Sequence, residues 1–208
     1  MNANRGKRKN NKWEDHYTRK AKKERFPARS VYKLEEIQKK HKLIKKGYRV
    51  LDLGCFPGSW LLYAADLVGT QGAVVGIDLK PVSIKLPSHV TVFTRDITDD
   101  NSDILPDDKK FNVIMSDMAP ATSGNKNVDN ARSFNLCCDA LSLAKRYLLS
   151  GGTYVCKIFH GEDFTTYINL VKQNFKKQIT FKPQSCRKAS REIYIIGLDF
   201  QEETDVRT

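Results

Sequence analysis

The stretch Arg49-Val-Leu-Asp-Leu-Gly-Cys-Phe-Pro-Gly-Ser-Trp60 decides the fold of this 208-residue chain. Residues 49–53 form a short, mostly apolar segment, which predicts a buried strand. The glycines and the proline that follow predict a tight turn, and residues 60–68 predict a helix. A strand, a glycine turn and a helix in this order are typical of the βαβ units that build a parallel sheet.

Outward from this stretch, short apolar segments alternate with segments of helical length. The further predicted strands are residues 73–77, 90–93, 111–115, 153–159, 178–181 and 192–198, and the further predicted helices are residues 28–40, 129–149 and 163–174. Gly151 and Gly152 follow the longest helical segment, and we expect them to cap it. The pattern predicts an α/β fold with a seven-stranded, mostly parallel sheet and helices on both faces.

The positive charge of the chain is confined to its first quarter. The formal net charge is +12, yet residues 1–49 hold 18 Lys and Arg against 5 Asp and Glu, whereas residues 50–208 hold 18 against 19. We expect a basic disordered tail at residues 1–12 and a single domain at residues 13–208, which begins with a basic helical segment at residues 13–46. RNA or DNA is the natural partner of this charge, although a solvated tail and a segment that binds an anionic membrane have the same composition.

The composition also argues against several classes of protein. Apolar residues make up 40% of the chain, as in globular proteins, and no apolar run reaches the roughly 18 residues that a membrane-spanning helix needs. Residues 1–9 lack the apolar stretch of a secretory signal, so we expect a cytoplasmic protein. Five cysteines without a CxxC pair favour reduced thiols, and four histidines without ligand spacing lead us to expect no metal site.

Polar or glycine residues closely follow four of the predicted strands. Gly54 follows the first strand, Asp78 the second, Asp96 the third and Asp117 the fourth. The carboxyl ends of parallel strands lie at one edge of the sheet, where α/β proteins bind their ligands, so we expect these residues to line one crevice. The alternative is that they are ordinary turn residues between strands.

The glycine turn and two of the aspartates indicate which ligand this crevice binds. A dinucleotide fingerprint needs three glycines, but position 56 is Phe, which disfavours a pyrophosphate and hence a nicotinamide-dependent oxidoreductase. Gly54 and Gly58 still allow the backbone to approach a ligand closely. Asp78 can accept hydrogen bonds from both ribose hydroxyls of an adenosine, and Asp96 can accept one from the adenine amine. These features favour an adenosine without pyrophosphate, as in S-adenosylmethionine.

Five segments resemble the signature segments of the FtsJ/RrmJ (RlmE-type) ribosomal RNA large subunit methyltransferases. They are Ala28-Arg-Ser-Val-Tyr-Lys-Leu34, Asp52-Leu-Gly-Cys-Phe-Pro-Gly58, Ser116-Asp-Met-Ala-Pro120, Val155-Cys-Lys-Ile-Phe159 and Ser190-Arg-Glu-Ile-Tyr194. They occur in the family's order, and the resemblance extends over residues 13–198. It implies the Rossmann-like fold of S-adenosylmethionine-dependent methyltransferases and the transfer of a methyl group to a ribose 2′-hydroxyl. In bacterial members the target is a uridine in the peptidyl-transferase region of large-subunit rRNA.

The resemblance also implies the residues of the site. The family's Lys-Asp-Lys-Glu catalytic set matches Lys33, Asp117, Lys157 and Glu192. The cofactor-binding set is Gly54, Gly58, Trp60, Asp78, Asp96 and Asp117. The chain departs from the family's pattern where Cys55 and Phe56 replace two alanines and where Ser59 replaces a glycine. We expect these departures to alter the packing around the cofactor rather than to abolish its binding.

Methyl transfer to a ribose 2′-hydroxyl requires alignment and the removal of one proton. The sulfonium already activates the methyl group, so no metal is needed. A lysine acts as the base only if its pKa falls below the usual value of about 10.4, and burial or a second cation lowers it. Lys157, in its apolar segment, is the candidate base, and Lys33 is the candidate second cation. Asp117 and Glu192 would orient the base and the hydroxyl. Taken singly, each of the four could instead be a solvated or structural charge.

Further features favour an RNA substrate. Residues 5–46 would bind phosphates, and a second basic cluster lies near Glu192, composed of Lys176, Lys177, Lys182, Arg187, Lys188 and Arg191. Residues 121–130 are rich in Asn, Ser and Gly, and we expect a mobile loop over the site. With the resemblance, which implies the target, the hypothesis is 2′-O-methylation of a uridine in 23S rRNA, on the assembled 50S subunit, by a monomer with no DNA or membrane partner. The alternatives are a tRNA ribose 2′-O-methyltransferase and a non-catalytic RNA-binding factor of ribosome assembly.

Overall fold

A computed structural model describes residues 16–99, 104–106, 108–121, 123–187 and 189–202 of the chain. The strands are β1 (Arg49–Leu53), β2 (Ala73–Asp78), β3 (Val90–Thr94), β4 (Phe111–Ser116), β5 (Leu148–Phe159), β6 (Phe175–Phe181) and β7 (Glu192–Phe200). The helices are α1 (His16–Lys23), α2 (Val31–His41), α3 (Ser59–Val68), α4 (Lys126–Tyr147) and α5 (Phe164–Asn174). The tail expected at residues 1–12 lies outside the described residues.

The seven strands form one sheet in the order β3-β2-β1-β4-β5-β7-β6. The strands β1 to β5 are parallel, whereas β7 runs antiparallel to both β5 and β6. The prediction of a seven-stranded, mostly parallel sheet is thus confirmed. The chain builds outward from β1 to β3 and then returns to place β4 on the other side of β1. This reversal opens a crevice at the carboxyl ends of β1 and β4, which is where α/β sheets bind ligands.

Each face of the sheet has its own buried core. Leu51 and Leu53 of β1 belong to a cluster that includes residues of α4 and α5, while Val50 belongs to a cluster that includes residues of α2 and α3. Because parallel strands are covered on both faces, they are nearly continuous apolar runs in the sequence. The prediction of helices on both faces is confirmed. Across the described ranges, the helices are all too short or too polar to cross a membrane.

The boundary between α4 and β5 differs from the prediction. α4 ends at Tyr147, its C-cap Leu148 donates its backbone N–H to the Ala144 carbonyl, and β5 begins at once. The two glycines expected to cap the helix, Gly151 and Gly152, lie inside β5, so that prediction was wrong. They lie where extra residues of β5 bulge out of its pairing with β4. The bulge is tight, because a Cβ on Gly152 would lie 2.7 Å from the Leu149 carbonyl oxygen. A bulge of this kind favours glycine for the same reason that a helix cap does.

The start of α2 is tied to the start of α3. The prediction began this helix at residue 28, but the structure begins it at Val31. Residues 28–30 instead form hydrogen bonds with the start of α3. The Ala28 N–H donates to Ser59 Oγ at 2.7 Å, and the Trp60 indole N–H donates to the Ser30 carbonyl at 2.9 Å. These two bonds hold the first turn of α2 over the carboxyl edge of the sheet.

Candidate active site

The four residues of the predicted catalytic set come together at the carboxyl ends of β4 and β5. Lys157 lies on β5, Asp117 directly follows β4, and Glu192 is the first residue of β7. Lys33 reaches them from the first turn of α2. Widely separated parts of the chain therefore meet at one point, next to the crevice that the sheet order creates.

The charged groups of this candidate catalytic cluster (Lys33, Asp117, Lys157 and Glu192; called the catalytic cluster below) alternate in sign. Lys157 Nζ lies 3.2 Å from Asp117 Oδ1 and donates a 2.6 Å hydrogen bond to the Asp117 carbonyl oxygen. Lys33 Nζ lies 3.7 Å from the same Oδ1 and 2.9 Å from Glu192 Oε2. Asp117 thus bridges the two ammonium groups, and Glu192 holds the outer one.

The catalytic cluster is largely withdrawn from water. The side chain of Lys157 is 4% exposed and that of Lys33 is 11% exposed. A single buried charge costs several kcal/mol, but two cations and two anions in contact compensate one another. Replacing such a group by apolar residues is often neutral or stabilising, so stability alone does not account for it. Clusters of this kind in a cleft are typical of catalytic sites.

Burial and neighbouring charges act in opposite directions on the pKa values in the cluster. Burial alone would raise the pKa of Asp117, but Lys157 and Lys33 outweigh it and the pKa is lowered. Burial alone would lower the pKa of Lys33, but Asp117 and Glu192 outweigh it and the pKa is raised. At neutral pH Asp117 is therefore a carboxylate and Lys33 an ammonium, so Lys157 has a permanent cation close by.

The turn between β1 and α3 has no room for side chains at its two glycines. Gly54 has φ 78°, and a Cβ there would lie 2.4 Å from Met118 Cγ. Gly58 has φ 106°, and a Cβ there would lie 2.6 Å from Ile84 Cδ1. The turn is therefore held closely between the residues that follow β4 and those that follow β2.

Asp78 and Asp96 follow the neighbouring strands β2 and β3. Asp78 accepts the Phe56 N–H on Oδ2 and the Lys80 N–H on Oδ1, both at 2.9 Å. Asp96 Oδ1 accepts the N–H and the hydroxyl of Thr98 at 2.9 and 2.7 Å, and these bonds lower the pKa of Asp96. A carboxylate has about four acceptor positions, so both side chains retain acceptors for the hydroxyls or the amine of a ligand.

Trp60 lies apart from the other members of the predicted cofactor set. Its side chain is buried, and its ring centroid lies 5.9 Å from that of Tyr194. The indole N–H is bonded to the Ser30 carbonyl, so the ring packs between α2, α3 and β7.

A cavity of about 490 Å³ opens beside the catalytic cluster. Its lining is polar and basic and consists of Ala28, Arg29, Ser30, Lys33, Ser185, Arg187, Ala189, Ser190 and Glu192. Burial and the nearby Arg187 lower the pKa of Arg29. Ligand sites have volumes of this order, and two neighbouring guanidinium groups favour an anionic ligand such as a nucleotide.

Comparison with known proteins agrees with this geometry. The sequence profile of a family described as FtsJ-like methyltransferase matches residues 26–200. The chain belongs to the FtsJ-like methyltransferase family. A protein of Desulforapulum autotrophicum named Ribosomal RNA large subunit methyltransferase E is 54% identical over 198 residues, which are 95% of this chain and 98% of that protein. A protein of the same name from Desulfosudis oleivorans is 52% identical over 199 residues, which are 95% of this chain and 96% of that protein.

Solved structures have the same fold as this FtsJ-like methyltransferase. A ribosomal RNA methyltransferase from Plasmodium falciparum superposes with a TM-score of 0.73 and 30% identity, covering 84% of this chain and 98% of that one. An rRNA methylase structure from Clostridium thermocellum, at 21% identity and a TM-score of 0.55, shares the fold over 82% of this chain and 97% of that one. The Rossmann-like methyltransferase fold implied by the sequence resemblance is thereby confirmed.

Sequence reasoning missed Tyr194 of this FtsJ-like methyltransferase. Its hydroxyl donates a 2.5 Å hydrogen bond to Asp117 Oδ1, and Lys33 Nζ lies 5.9 Å from its ring centroid. Burial and the charge of Asp117 raise the pKa of Tyr194 well above its usual value, so the hydroxyl keeps the proton that it donates. The sequence does contain a signal, because Tyr194 is two residues after Glu192 and the two therefore share one face of β7.

Asp52 is a second residue whose environment the sequence did not reveal. It lies on β1 with no exposed surface, and among the described residues neither of its oxygens has a hydrogen-bond partner. Burial, with a further contribution from the charges of Asp117 and Asp78, raises the pKa of Asp52 well above its usual value. An acidic residue inside an apolar strand is the signal that could have identified it.

The predicted second basic cluster is only partly assembled. Arg187 lines the cavity beside the catalytic cluster, and Lys182 Nζ donates to the carbonyl of Ser190, another residue of that lining. Lys176 and Lys177 lie on β6 instead, where Lys176 pairs with Asp199 at 2.9 Å. Lys188 lies outside the described residues.

The segment predicted as a mobile loop is partly helical. α4 begins at Lys126, and the Asn125 side chain caps it by accepting two backbone N–H groups of the first turn. Asp129 Oδ1 accepts the Ser123 N–H at 2.7 Å. Asparagine and aspartate are frequent both in loops and in helix caps, and composition alone cannot separate the two. The prediction of a loop over residues 126–130 was wrong.

Proposed function

We propose that the chain is an S-adenosylmethionine-dependent RNA 2′-O-methyltransferase, which modifies a uridine ribose of 23S rRNA on the assembled large subunit in the cytoplasm. The observation that carries this proposal is the connected set Lys157, Asp117, Lys33 and Glu192 beside a cavity of nucleotide size. The relatives whose names specify large-subunit rRNA support rRNA over tRNA as the substrate.

The residues at the carboxyl ends of β1, β2 and β3 fit the cofactor. Gly54 and Gly58 let the turn after β1 pack against Met118 and Ile84, where a Cβ would overlap them, and this places the backbone of the turn at the carboxyl ends of the strands. Asp78 would accept the ribose hydroxyls, and Asp96 would accept the adenine amine. When bound there, the cofactor supplies a methyl group that its sulfonium has already activated.

The protein's own residues would hold the substrate hydroxyl and take its proton. Lys157, in its amine form, would accept the 2′-hydroxyl proton at Nζ and later release it to water. Asp117 fixes the position of this Nζ through its carbonyl and carboxylate oxygens. Lys33 Nζ lies 3.7 Å from the same Asp117 carboxylate oxygen and so helps to hold Asp117 in place. Glu192 holds Lys33 in place.

The cavity beside the cluster would hold the target nucleotide. Its two arginines, Arg29 and Arg187, are suited to phosphate oxygens because a planar guanidinium can donate two parallel hydrogen bonds. A ribose on a splayed-out nucleotide can reach a withdrawn cluster more easily than one in a helical stack. This arrangement favours an unpaired uridine over one in a duplex.

The proposal is tested by methyl transfer from labelled S-adenosylmethionine to 50S subunits, naked 23S rRNA and tRNA. We expect transfer to 50S subunits, with the labelled linkage resistant to alkali because the 2′-oxygen is blocked. Lys157→Ala should lower the rate by about 10²–10⁴-fold, the usual contribution of a general base. Lys172→Ala, an exposed lysine on α5, is the matched control.

Three outcomes would contradict the proposal. Unchanged transfer by Lys157→Ala would refute the assignment of the base. Transfer to tRNA alone would refute the substrate, and tight rRNA binding without transfer to any RNA would favour a non-catalytic assembly factor.

A further inference from the structure

Phe56 is a large aromatic side chain that the fold leaves in water. It lies in the turn between Gly54 and Gly58, and 46% of it is exposed. Its neighbour Cys55 is buried, so the turn directs one side chain into the core and the next one outward. Leu79, directly after β2, is also an exposed apolar residue, at 66%. Two large apolar side chains thus stand at the carboxyl ends of adjacent strands, where a ligand is expected.

Hydrogen bonds fix Phe56 against Asp78. The Phe56 N–H donates to Asp78 Oδ2 and the Lys80 N–H donates to Asp78 Oδ1, both at 2.9 Å. Lys80 Nζ lies 5.4 Å from the Phe56 ring centroid. The backbone at Phe56 is therefore anchored to the carboxylate that we assign to the ribose of the cofactor, while the ring itself stays exposed.

An anchored backbone with an exposed ring is a costly arrangement unless something covers the ring. Burying a phenylalanine side chain stabilises a protein, and a ring that is 46% exposed forgoes part of that stabilisation. The ring can reach a neighbouring ligand by rotation about its side-chain bonds, with no movement of the turn. A ligand with an apolar surface next to Asp78 would provide the missing cover.

We propose that Phe56, with Leu79 beside it, closes over the ribose and the aliphatic methionine chain of bound S-adenosylmethionine and sets the cofactor affinity of this chain. This inference rests on the proposed function, since it takes S-adenosylmethionine as the cofactor.

The sheet order favours the cofactor over an RNA base as the partner of this ring. Phe56 lies on the β2 side of β1, whereas the catalytic cluster lies beyond β4, on β5 and β7. The nucleotide-sized cavity is lined by residues 28–30 before α2, by residues of the segment before β7, and by Lys33 and Glu192 of the cluster itself. A ribose that reaches the cluster approaches from the side of that cavity, and the cofactor then lies between it and Phe56.

The test is calorimetric titration of the full chain with S-adenosylmethionine and with S-adenosylhomocysteine, without RNA. Phe56→Ala should weaken both affinities about tenfold and make the heat-capacity change on binding less negative, because less apolar surface is buried. Phe56→Tyr should retain both values. Leu149→Ala is the matched control. Leu149 is 42% exposed, but it lies at the start of β5 and not at the carboxyl ends of the strands.

Several results would overturn the inference. Equal or tighter binding of both ligands by Phe56→Ala refutes it, as does unchanged cofactor binding with a raised KM for rRNA, which would assign the ring to the RNA. An equal loss in Leu149→Ala would show a general effect on the fold. Failure of the wild-type chain to bind either ligand would instead refute the proposed function, which separates the two claims.

Discussion

Replacing Asp52 by Asn should make the folded protein progressively more stable relative to the wild type as the pH rises. The Asp52 carboxyl has no exposed surface, and in the described part of the chain its oxygens have no hydrogen-bond donor, so ionising it inside the protein is costly. Burial raises its pKa well above the usual value. In the unfolded chain the same group ionises near pH 4. The folded state therefore holds this proton more tightly than the unfolded chain does.

The sign and the size of the effect follow from this difference. The contribution of Asp52 to stability is fully present below about pH 4 and is lost as the pH rises toward the raised pKa of the folded state. Each pH unit in that window costs the wild type up to about 1.4 kcal/mol, so the loss by pH 7 is at most about 4 kcal/mol. Asn cannot ionise and escapes this loss. The amide of the introduced asparagine would also lack hydrogen-bond partners. This lowers the free energy of unfolding of the variant by an amount that does not vary with pH.

Urea unfolding at several pH values between 5 and 8 measures this effect. The free energy of unfolding of Asp52→Asn, minus that of the wild type, should rise steadily with pH across that range. Asp66→Asn, an exposed aspartate on α3, is the matched control and should show no such trend. Parallel pH profiles for the wild type and Asp52→Asn would refute the reasoning, because they would mean that Asp52 ionises as easily in the folded state as in water.

Three further changes probe the catalytic cluster, the glycine turn and the basic tail. Tyr194→Phe keeps the packed ring but removes the hydrogen bond to the Asp117 carboxylate, so the rate constant of methyl transfer in single-turnover assays should fall about 10- to 100-fold; an unchanged rate constant would show that this bond does not position Asp117. Gly54→Ala should destabilise the protein by about 2–4 kcal/mol in urea unfolding, since its Cβ would overlap Met118, and native stability would contradict that geometry. Deleting residues 1–12 removes five Lys and Arg and no acid. The slope of log affinity for rRNA against log salt should then become shallower by up to about 3.5, whereas an identical slope would mean that the tail does not contact RNA.

The catalytic cluster connects these predictions to the architecture. Lys157 depends on β5 for its burial and on Asp117 for its position. Lys33 depends on the bonds that tie α2 to α3, so a change at Trp60 or Ser59 can act on the cluster without touching it. Effects of substitutions within this set should be strongly non-additive, because residues that act as a unit lose most of their function with the first change.

The sequence by itself determined the strands and the identity of the ligand-binding edge. The strand β1 was predicted with its observed bounds, and the other strands were placed to within a few residues, because buried parallel strands are short apolar runs bounded by turn residues. The resemblance identified the four residues of the cluster, since they occur in segments whose order and spacing are specific. These signals each lie within a short segment, so they can be recognised in a single sequence.

Only the tertiary structure decided how those residues interact. The end of α4 and the bulge in β5 depend on pairing with β4, and a glycine suits a bulge as well as a cap. The bond from Tyr194 to Asp117 and the isolation of Asp52 depend on neighbours that are distant in sequence. The charge states of Asp117 and Lys33 likewise follow from how burial balances against nearby opposite charges. That balance is fixed by distances of a few ångströms in the folded chain, and no pattern within one strand or helix contains them.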